Sequence, residues 1–139
     1  MLSASVTVDG DLVGNIDGPG LLVYLGVTHS DGPAEIAWTA RKIWDLRLMR
    51  EERSLSDLGA PVLVVSQFTL YGEARKGRRP TWEAAAPREV SEPVYDAVCD
   101  ALEGLGAVVA RGRFGERMQV ASVNDGPITL ILEAPAPPG

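Results

Sequence analysis

The chain has 139 residues, of which 45% are hydrophobic and 23% charged, with a formal net charge of −6 at pH 7. This length and mixture predict one compact domain with its own core and exclude a disordered or repetitive chain. No apolar run approaches the roughly 20 residues that cross a bilayer, and Met1-Leu2-Ser3 lacks the features of a signal peptide. We therefore expect a cytoplasmic protein without membrane partners.

Cysteine and histidine are scarce, because Cys99 is the single cysteine and His29 the single histidine. This excludes an internal disulfide and argues against a Cys/His metal site, so we expect no metal and no cofactor. The acidic balance argues against DNA binding and against general affinity for nucleic-acid phosphates. One exception stands at residues 75–79, where four of the five side chains are basic.

The first elements predicted along the chain are strands joined by tight turns. Asp9-Gly10 lies between Ser5–Val8 and Leu12–Ile16, and this pattern predicts a β-hairpin because glycine tolerates positive φ. The nearly unbroken apolar run Leu21–Val27 predicts a strand buried on both faces.

Apolar residues then repeat at helical spacing in two places, which predicts two main helices. Ser91 is the candidate N-cap of the second helix, and Cys99 falls at a core position within it. The repeating residues are Ile36, Ala40, Ile43 and Trp44 in the first helix, and Val94, Val98, Ala101, Leu102 and Leu105 in the second.

Four more segments have strand character: Pro61–Phe68, Ala107–Ala110, Met118–Val123 and Ile128–Leu132. Strands outnumber helices and do not alternate strictly with them. We predict a single α+β domain over residues 1–134 with a mostly antiparallel, barrel-like sheet. Residues 135–139, within "APAPPG", predict a disordered tail.

The fourth predicted strand turns polar at "SQFTLYG" (66–72). Ser66, Gln67 and Thr69 stand at a strand end, where backbone N–H groups come free for ligands, although a plain strand edge is the alternative. A hydroxyl nucleophile needs a nearby base, and His29 lies in a turn-like stretch, "THSDG". A Ser-His-Asp triad is therefore not expected.

Two further segments break the pattern of core and turn. "ARKGRRPTW" (74–82) suits a loop that contacts phosphates while Trp82 lies near a base or against the core, and a solvated charged face is the alternative. In "SVNDGPIT" (122–129), Asp125 is expected to cap the turn beside Gly126-Pro127. A cis Gly-Pro bond would align successive carbonyls, whereas base rates favour an ordinary trans turn.

Together these segments resemble the D-aminoacyl-tRNA deacylase family. "SQFTLYG", "KGRRP" followed by an aromatic residue and "AAAP", and "FG..MQV...NDGP.T" occur in the family's order and spacing. The resemblance runs from about Ser5 to Glu133 and includes "ASVTVDG" and "GLLVYLGV". It implies a homodimer of barrel-like subunits that hydrolyses the ester between a D-amino acid, or mischarged glycine, and the terminal adenosine of tRNA.

The resemblance also implies roles for single residues. The Gly126-Pro127 bond would be cis and would enter the partner subunit's active site, where its carbonyls exclude L side chains. Thr69 is a possible nucleophile by position, but we prefer activation of water by a ribose hydroxyl of the tRNA. The implied sets are Ser66, Gln67, Phe68 and Thr69 for catalysis, with amides near Phe68 and Thr69 facing an oxyanion; Phe114, Met118 and Asn124 for substrate binding; and Lys76, Arg78 and Arg79 for tRNA phosphates.

One departure concerns the start of the chain. Family members begin with a strand resembling "MRAVIQRV" before the segment matched here by "SASVTVDG", and this sequence begins at Met1-Leu2-Ser3. We expect either a start placed too far downstream or an impaired protein with an exposed sheet edge. The alternative functions are thus a non-catalytic tRNA-binding homodimer and a small dimeric interaction protein.

Overall fold

The computed structural model describes residues 1–135, so most of the predicted tail, residues 136–139, lies outside the described residues. Six strands and three α-helices, with two short 3₁₀ turns, make up the fold. In chain order they are β1 (Ser3–Val8), β2 (Asp11–Asp17), β3 (Leu21–Leu25), α1 (Pro33–Asp45), the turn Arg50–Glu52, α2 (Leu55–Leu58), β4 (Val62–Ser66), the turn Phe68–Tyr71, α3 (Arg88–Gly104), β5 (Val109–Arg111) and β6 (Gln119–Val123).

The first sheet is antiparallel, with the strand order β2-β1-β6. Asp9 (φ 49°) and Gly10 (φ 81°) both have positive φ between the paired residues Val8 and Asp11, which confirms the predicted hairpin. Alternate β1 residues, among them Ala4 and Val6, are buried. The sheet therefore covers the core with one face.

The second sheet is parallel, with the order β3-β4-β5. Residues Val62 to Val65 of the central strand β4 are all at most 1% exposed. Val62 and Val64 pack with the residues of α1 and α3, whereas Leu63 and Val65 pack with those of β1 and β2. The molecule thus has three layers: the helices, the parallel sheet and the antiparallel sheet, with the parallel sheet in the middle. Strand β4 separates the core beneath the helices from the core between the two sheets.

Both predicted helices are present as α1 and α3. Cys99 is fully buried in the core between them, and burial raises the pKa of its thiol to about 11. The predicted N-cap is wrong, because α3 begins at Arg88 after an extended Pro87 and Ser91 lies within its first turns. No helix within residues 1–135 combines the length and the apolar character that crossing a bilayer requires.

Three strand predictions need correction. The sheets do not close into one mostly antiparallel barrel, because crossovers through helices make β3, β4 and β5 parallel. β3 is an edge strand with Tyr24 43% exposed, so β4 is the strand buried on both faces. The segment Ile128–Leu132 forms no strand, because no described strand pairs with its backbone. Its side chain Ile131 is 90% exposed.

Candidate active site

A cavity of about 300 Å³ lies where the end of β4, the start of α3 and the β5–β6 connection meet. Its lining is mostly apolar, with a few polar groups at one side. Five of the predicted site residues line it: Ser66, Gln67, Phe68, Phe114 and Met118.

The polar side of the cavity is the point where β4 stops. The Gln67 amide donates to Leu25 O (2.8 Å), and the 3₁₀ turn then starts at Phe68. The first N–H groups of a helical turn have no acceptor within it, and the Gln67 side chain does not cap them. It donates instead to the Thr69 hydroxyl and leaves the Phe68 amide uncapped at the cavity, whereas Thr69 is not among the residues that line the cavity.

The apolar wall includes the Phe114 ring. It lies 6.0 Å from the Tyr95 ring between centroids, with the two planes tilted by 52°, and the Arg88 guanidinium lies 5.6 Å from its centre. Met118 lies so close to the backbone that a Cβ on Gly112 would be 2.9 Å from its sulfur. A side chain at position 112 would therefore require the Met118 side chain to shift.

Two cavity residues on α3 were not identified from the sequence, namely Ser91 and Tyr95. The Tyr95 hydroxyl donates to Val64 O (2.7 Å) and ties α3 to β4 beneath the cavity, and burial raises the pKa of this phenol. Their spacing of four residues places them on one helix face. That spacing was the sequence signal that could have identified these two residues together. It does not indicate whether the helix face packs in the core or lines a cavity.

The segment 73–81, here called the basic loop, adjoins the cavity through an aromatic pair. Glu73 and Thr81 close it with two reciprocal backbone hydrogen bonds of 2.9 Å. Trp82 directly follows the loop, and its ring contacts the Phe68 ring edge-on with 5.2 Å between centroids. The Trp82 ring therefore packs against a cavity residue. Lys76, Arg78 and Arg79 are exposed within the loop and do not line the cavity.

The Gly126-Pro127 loop, defined as residues 124–129, lies apart from this cavity, and its peptide bond before Pro127 is cis. Asn124 donates to the Thr129 hydroxyl (3.0 Å) across the loop. Asp125 does not cap the turn as predicted. Its carboxylate accepts two hydrogen bonds from Arg50, at 2.7 and 2.8 Å, and this guanidinium lowers the pKa of Asp125.

Within residues 1–135, the imidazole and the carboxylates add no metal-type cluster to this cavity. His29 is exposed, with Nε2 2.7 Å from Glu83 O, and does not line the cavity. Within residues 1–135, no three His, Cys, Asp or Glu side chains converge as ligands of a metal ion would. The polar groups at the cavity are therefore hydroxyls, amides and the carboxylate of Glu116.

The chain is similar to several known proteins. The family model described as D-Tyr-tRNA(Tyr) deacylase matches residues 1–133. Two relatives named D-aminoacyl-tRNA deacylase come from Thermobifida fusca (65% identity over 130 residues, 94% of this chain and 92% of the relative) and Kineococcus radiotolerans (62% over 131 residues, 94% and 93%).

Two solved structures are similar. One, titled "c-Myc DNA Unwinding Element Binding Protein", has a TM-score of 0.86 at 37% identity, covering 96% of this chain and 94% of its own. The other, titled "Structural Analysis of a probable eukaryotic D-amino acid tRNA deacylase", has a TM-score of 0.75 at 15% identity, covering 91% of both, and supports the fold alone. The match of the family model and the high identities show that this chain belongs to the D-Tyr-tRNA(Tyr) deacylase family of hydrolases.

Proposed function

We propose that the chain hydrolyses the ester bond of D-aminoacyl-tRNA, and of glycine wrongly attached to tRNA, releasing the amino acid and free tRNA. The observation that carries the proposal is the cavity, where Ser66, Gln67 and Phe68 lie with Phe114 and Met118. Free amides at one side and an aromatic wall at the other suit an ester joined to a nucleoside. Because its substrate belongs to translation, the reaction would take place in the cytoplasm.

Binding would use the apolar wall and the basic loop. The terminal adenine would pack against the apolar wall at Phe114 and Met118, because every base has a flat π-face that aromatic and apolar side chains can contact. Asn124 would contact the substrate from the Gly126-Pro127 loop. Lys76, Arg78 and Arg79 would contact acceptor-stem phosphates, and the net charge of −6 would favour release of the tRNA afterwards.

The chemical step needs an activated water and a place for the developing negative charge. Water attacks the ester carbonyl carbon, and the carbonyl oxygen becomes an oxyanion facing the Phe68 and Thr69 amides. The neighbouring ribose hydroxyl of the tRNA helps remove the proton from water. The C–O bond to the ribose then breaks, and the ribose oxygen leaves with a proton, so no side-chain nucleophile is required.

Selection of D substrates would come from a second subunit. Because the Gly126-Pro127 loop lies apart from the cavity of its own chain, we place it in the partner's cavity. The carbonyls of Gly126 and Pro127 would face the α-amino group and exclude an L side chain, whereas glycine, without a side chain, would pass. The exposed apolar residues of 128–132, such as Leu130 at 57% and Ile131 at 90%, support a face covered by a second copy.

The test is hydrolysis of three substrates: tRNA charged with D-tyrosine, tRNA charged with L-tyrosine, and tRNA mischarged with glycine. We expect release of D-tyrosine and of glycine, with no release of L-tyrosine above the uncatalysed rate. Equal rates on both enantiomers would contradict the proposal. Binding of uncharged tRNA without hydrolysis would favour the non-catalytic tRNA-binding homodimer, and duplex DNA is the matching control because one similar structure is named for DNA binding.

A further inference from the structure

The Gly126-Pro127 loop continues from β6 and, within residues 1–135, its Asp125 forms an ion pair with Arg50 of a distant turn. Among residues 1–135, its side-chain hydrogen bonds to another element are the two from Arg50 to Asp125, across 75 positions of sequence. The hydrogen bond between Asn124 and Thr129 joins the two ends of the loop and does not fix the orientation of the loop relative to other elements. Arg50 therefore restrains the loop at a point beyond its continuation from β6.

The geometry of this pair restrains orientation as well as distance. Arg50 Nε lies 2.7 Å from Asp125 Oδ2, and Nη2 lies 2.8 Å from Oδ1. Two parallel bonds from a planar guanidinium fix the plane of the carboxylate, which a single bond or an ammonium group would not do. Because Asp125 directly precedes Gly126, the restraint reaches the loop backbone through one peptide unit.

The turn that presents Arg50 is itself unusual. Glu51 (φ 61°) and Glu52 (φ 56°) both have left-handed backbone angles, which cost free energy for residues other than glycine. Met49 N donates to Arg53 O at 2.9 Å and closes the turn. A strained turn that carries the anchor of a candidate site indicates a functional constraint on the turn.

We propose that Arg50 is a positioning residue, which through Asp125 fixes the backbone of the Gly126-Pro127 loop and thereby its discrimination between D and L substrates. The effect on discrimination rests on the proposed function. The effect on the loop backbone does not, and can be measured separately.

The kinetic test compares Arg50→Ala and Arg50→Lys with a matched control. Arg41→Ala removes another exposed ion pair, with Asp45 at 3.6 Å on α1, away from the loop. We expect Arg50→Ala to lower kcat/KM for D-tyrosyl-tRNA about tenfold, to reduce the D-to-L rate ratio, and to leave Tm nearly unchanged. Arg50→Lys should resemble it, and Arg41→Ala should stay within about twofold of wild type.

A charge exchange tests whether the two residues act as a pair. We expect Arg50→Asp and Asp125→Arg to be impaired singly and the double variant to recover part of the lost selectivity. Wild-type selectivity in a folded Arg50→Ala, or a double variant no better than either single one, would overturn the proposal.

The structural test does not depend on activity. We expect the NMR order parameter of the Gly126 N–H to fall from about 0.85 to below about 0.6 in Arg50→Ala and to stay unchanged in Arg41→Ala. An unchanged Gly126 value in Arg50→Ala would overturn the inference. Loss of order in a chain that hydrolyses no D-aminoacyl-tRNA would refute the proposed function and leave the positioning role intact.

Discussion

The cavity and the Gly126-Pro127 loop are held in place in different ways. The walls of the cavity belong to the core, since Val65 is 1% exposed and Tyr95, hydrogen-bonded to β4, is 3% exposed. In the loop, Gly126, Pro127, Ile128 and Thr129 are all exposed, and within residues 1–135 its side-chain hydrogen bonds to another element are those of the Arg50–Asp125 pair.

The difference shows how the cavity and the loop each get their shape. The cavity is shaped by the packing of its own chain, so changes there act through local fit. The loop rests on a rigid sheet but has little core of its own, as loops that carry function often do. We therefore expect it to work against a surface that another subunit supplies.

The largest effect is expected from Gly126→Ala. Gly126 has φ +125°, and an added Cβ would lie 2.9 Å from Ile128 Cγ1 and 3.0 Å from Ile128 N. Deacylation of D-tyrosyl-tRNA should fall at least about hundredfold, because misplacement of a selecting loop by about 1 Å has such an effect. The control is Gly18→Ala, which has a similar φ of +108° but nothing within 4 Å, so it should reduce Tm and keep activity.

Mixing two inactive variants would show whether the cavity and the loop of one site come from different subunits. Ser91→Phe fills the cavity and Gly126→Ala disables the loop. Refolded together, they should regain about a quarter of wild-type activity, since about half the dimers are mixed and each has one intact site. If each site were built within one chain, the mixture would regain no activity. Light scattering should report a dimer for both variants and for their mixture.

A smaller effect is expected when the basic loop loses its charge. Replacing Lys76, Arg78 and Arg79 by alanine should raise KM about tenfold with little change in kcat, and should reduce the slope of log KM against log salt by roughly two to three. The control variant removes three exposed charges around α1 (Arg41, Lys42 and Arg47) and should leave the slope alone. Equal effects from both variants would indicate general electrostatic attraction.

The smallest effect is expected from Thr69→Ala, which should keep activity within about twofold. The Thr69 side chain is exposed, does not line the cavity and accepts a bond from Gln67. Gln67→Ala, which changes a cavity residue, should cost about tenfold more. Detection by mass spectrometry of an acyl group trapped on Thr69 would refute hydrolysis by water alone.

Much of the fold follows from local patterns. The β1–β2 hairpin, α1, α3 and the buried Cys99 were predicted because turn residues and apolar periodicity act over a few neighbours. The prediction that Ser91 caps the second helix was wrong, because a serine near the start of a helix can either cap the helix or lie within it. Here the helix begins at Arg88, directly after Pro87, so Ser91 lies within it. Composition also could not distinguish the edge strand β3 from the central strand β4, since both are apolar runs.

Five of the predicted site residues share one cavity, but the sequence did not predict how they are arranged. The family motifs predicted Ser66, Gln67 and Phe68 in one segment and Phe114 and Met118 in another. The two segments are distant in sequence and line one cavity. The pairing of Asp125 with Arg50 had no signal in the sequence, because it joins two turns across 75 positions.

The sequence by itself determined the hairpin, the helical stripes, the motifs and, through them, the family. Those properties depend on the order of residue types along the chain. Only the tertiary structure decided that the sheets stay separate, that β4 divides two cores, and that the Gly126-Pro127 loop lies outside its own cavity. These depend on which elements pack together, and packing is set by contacts between residues distant in sequence.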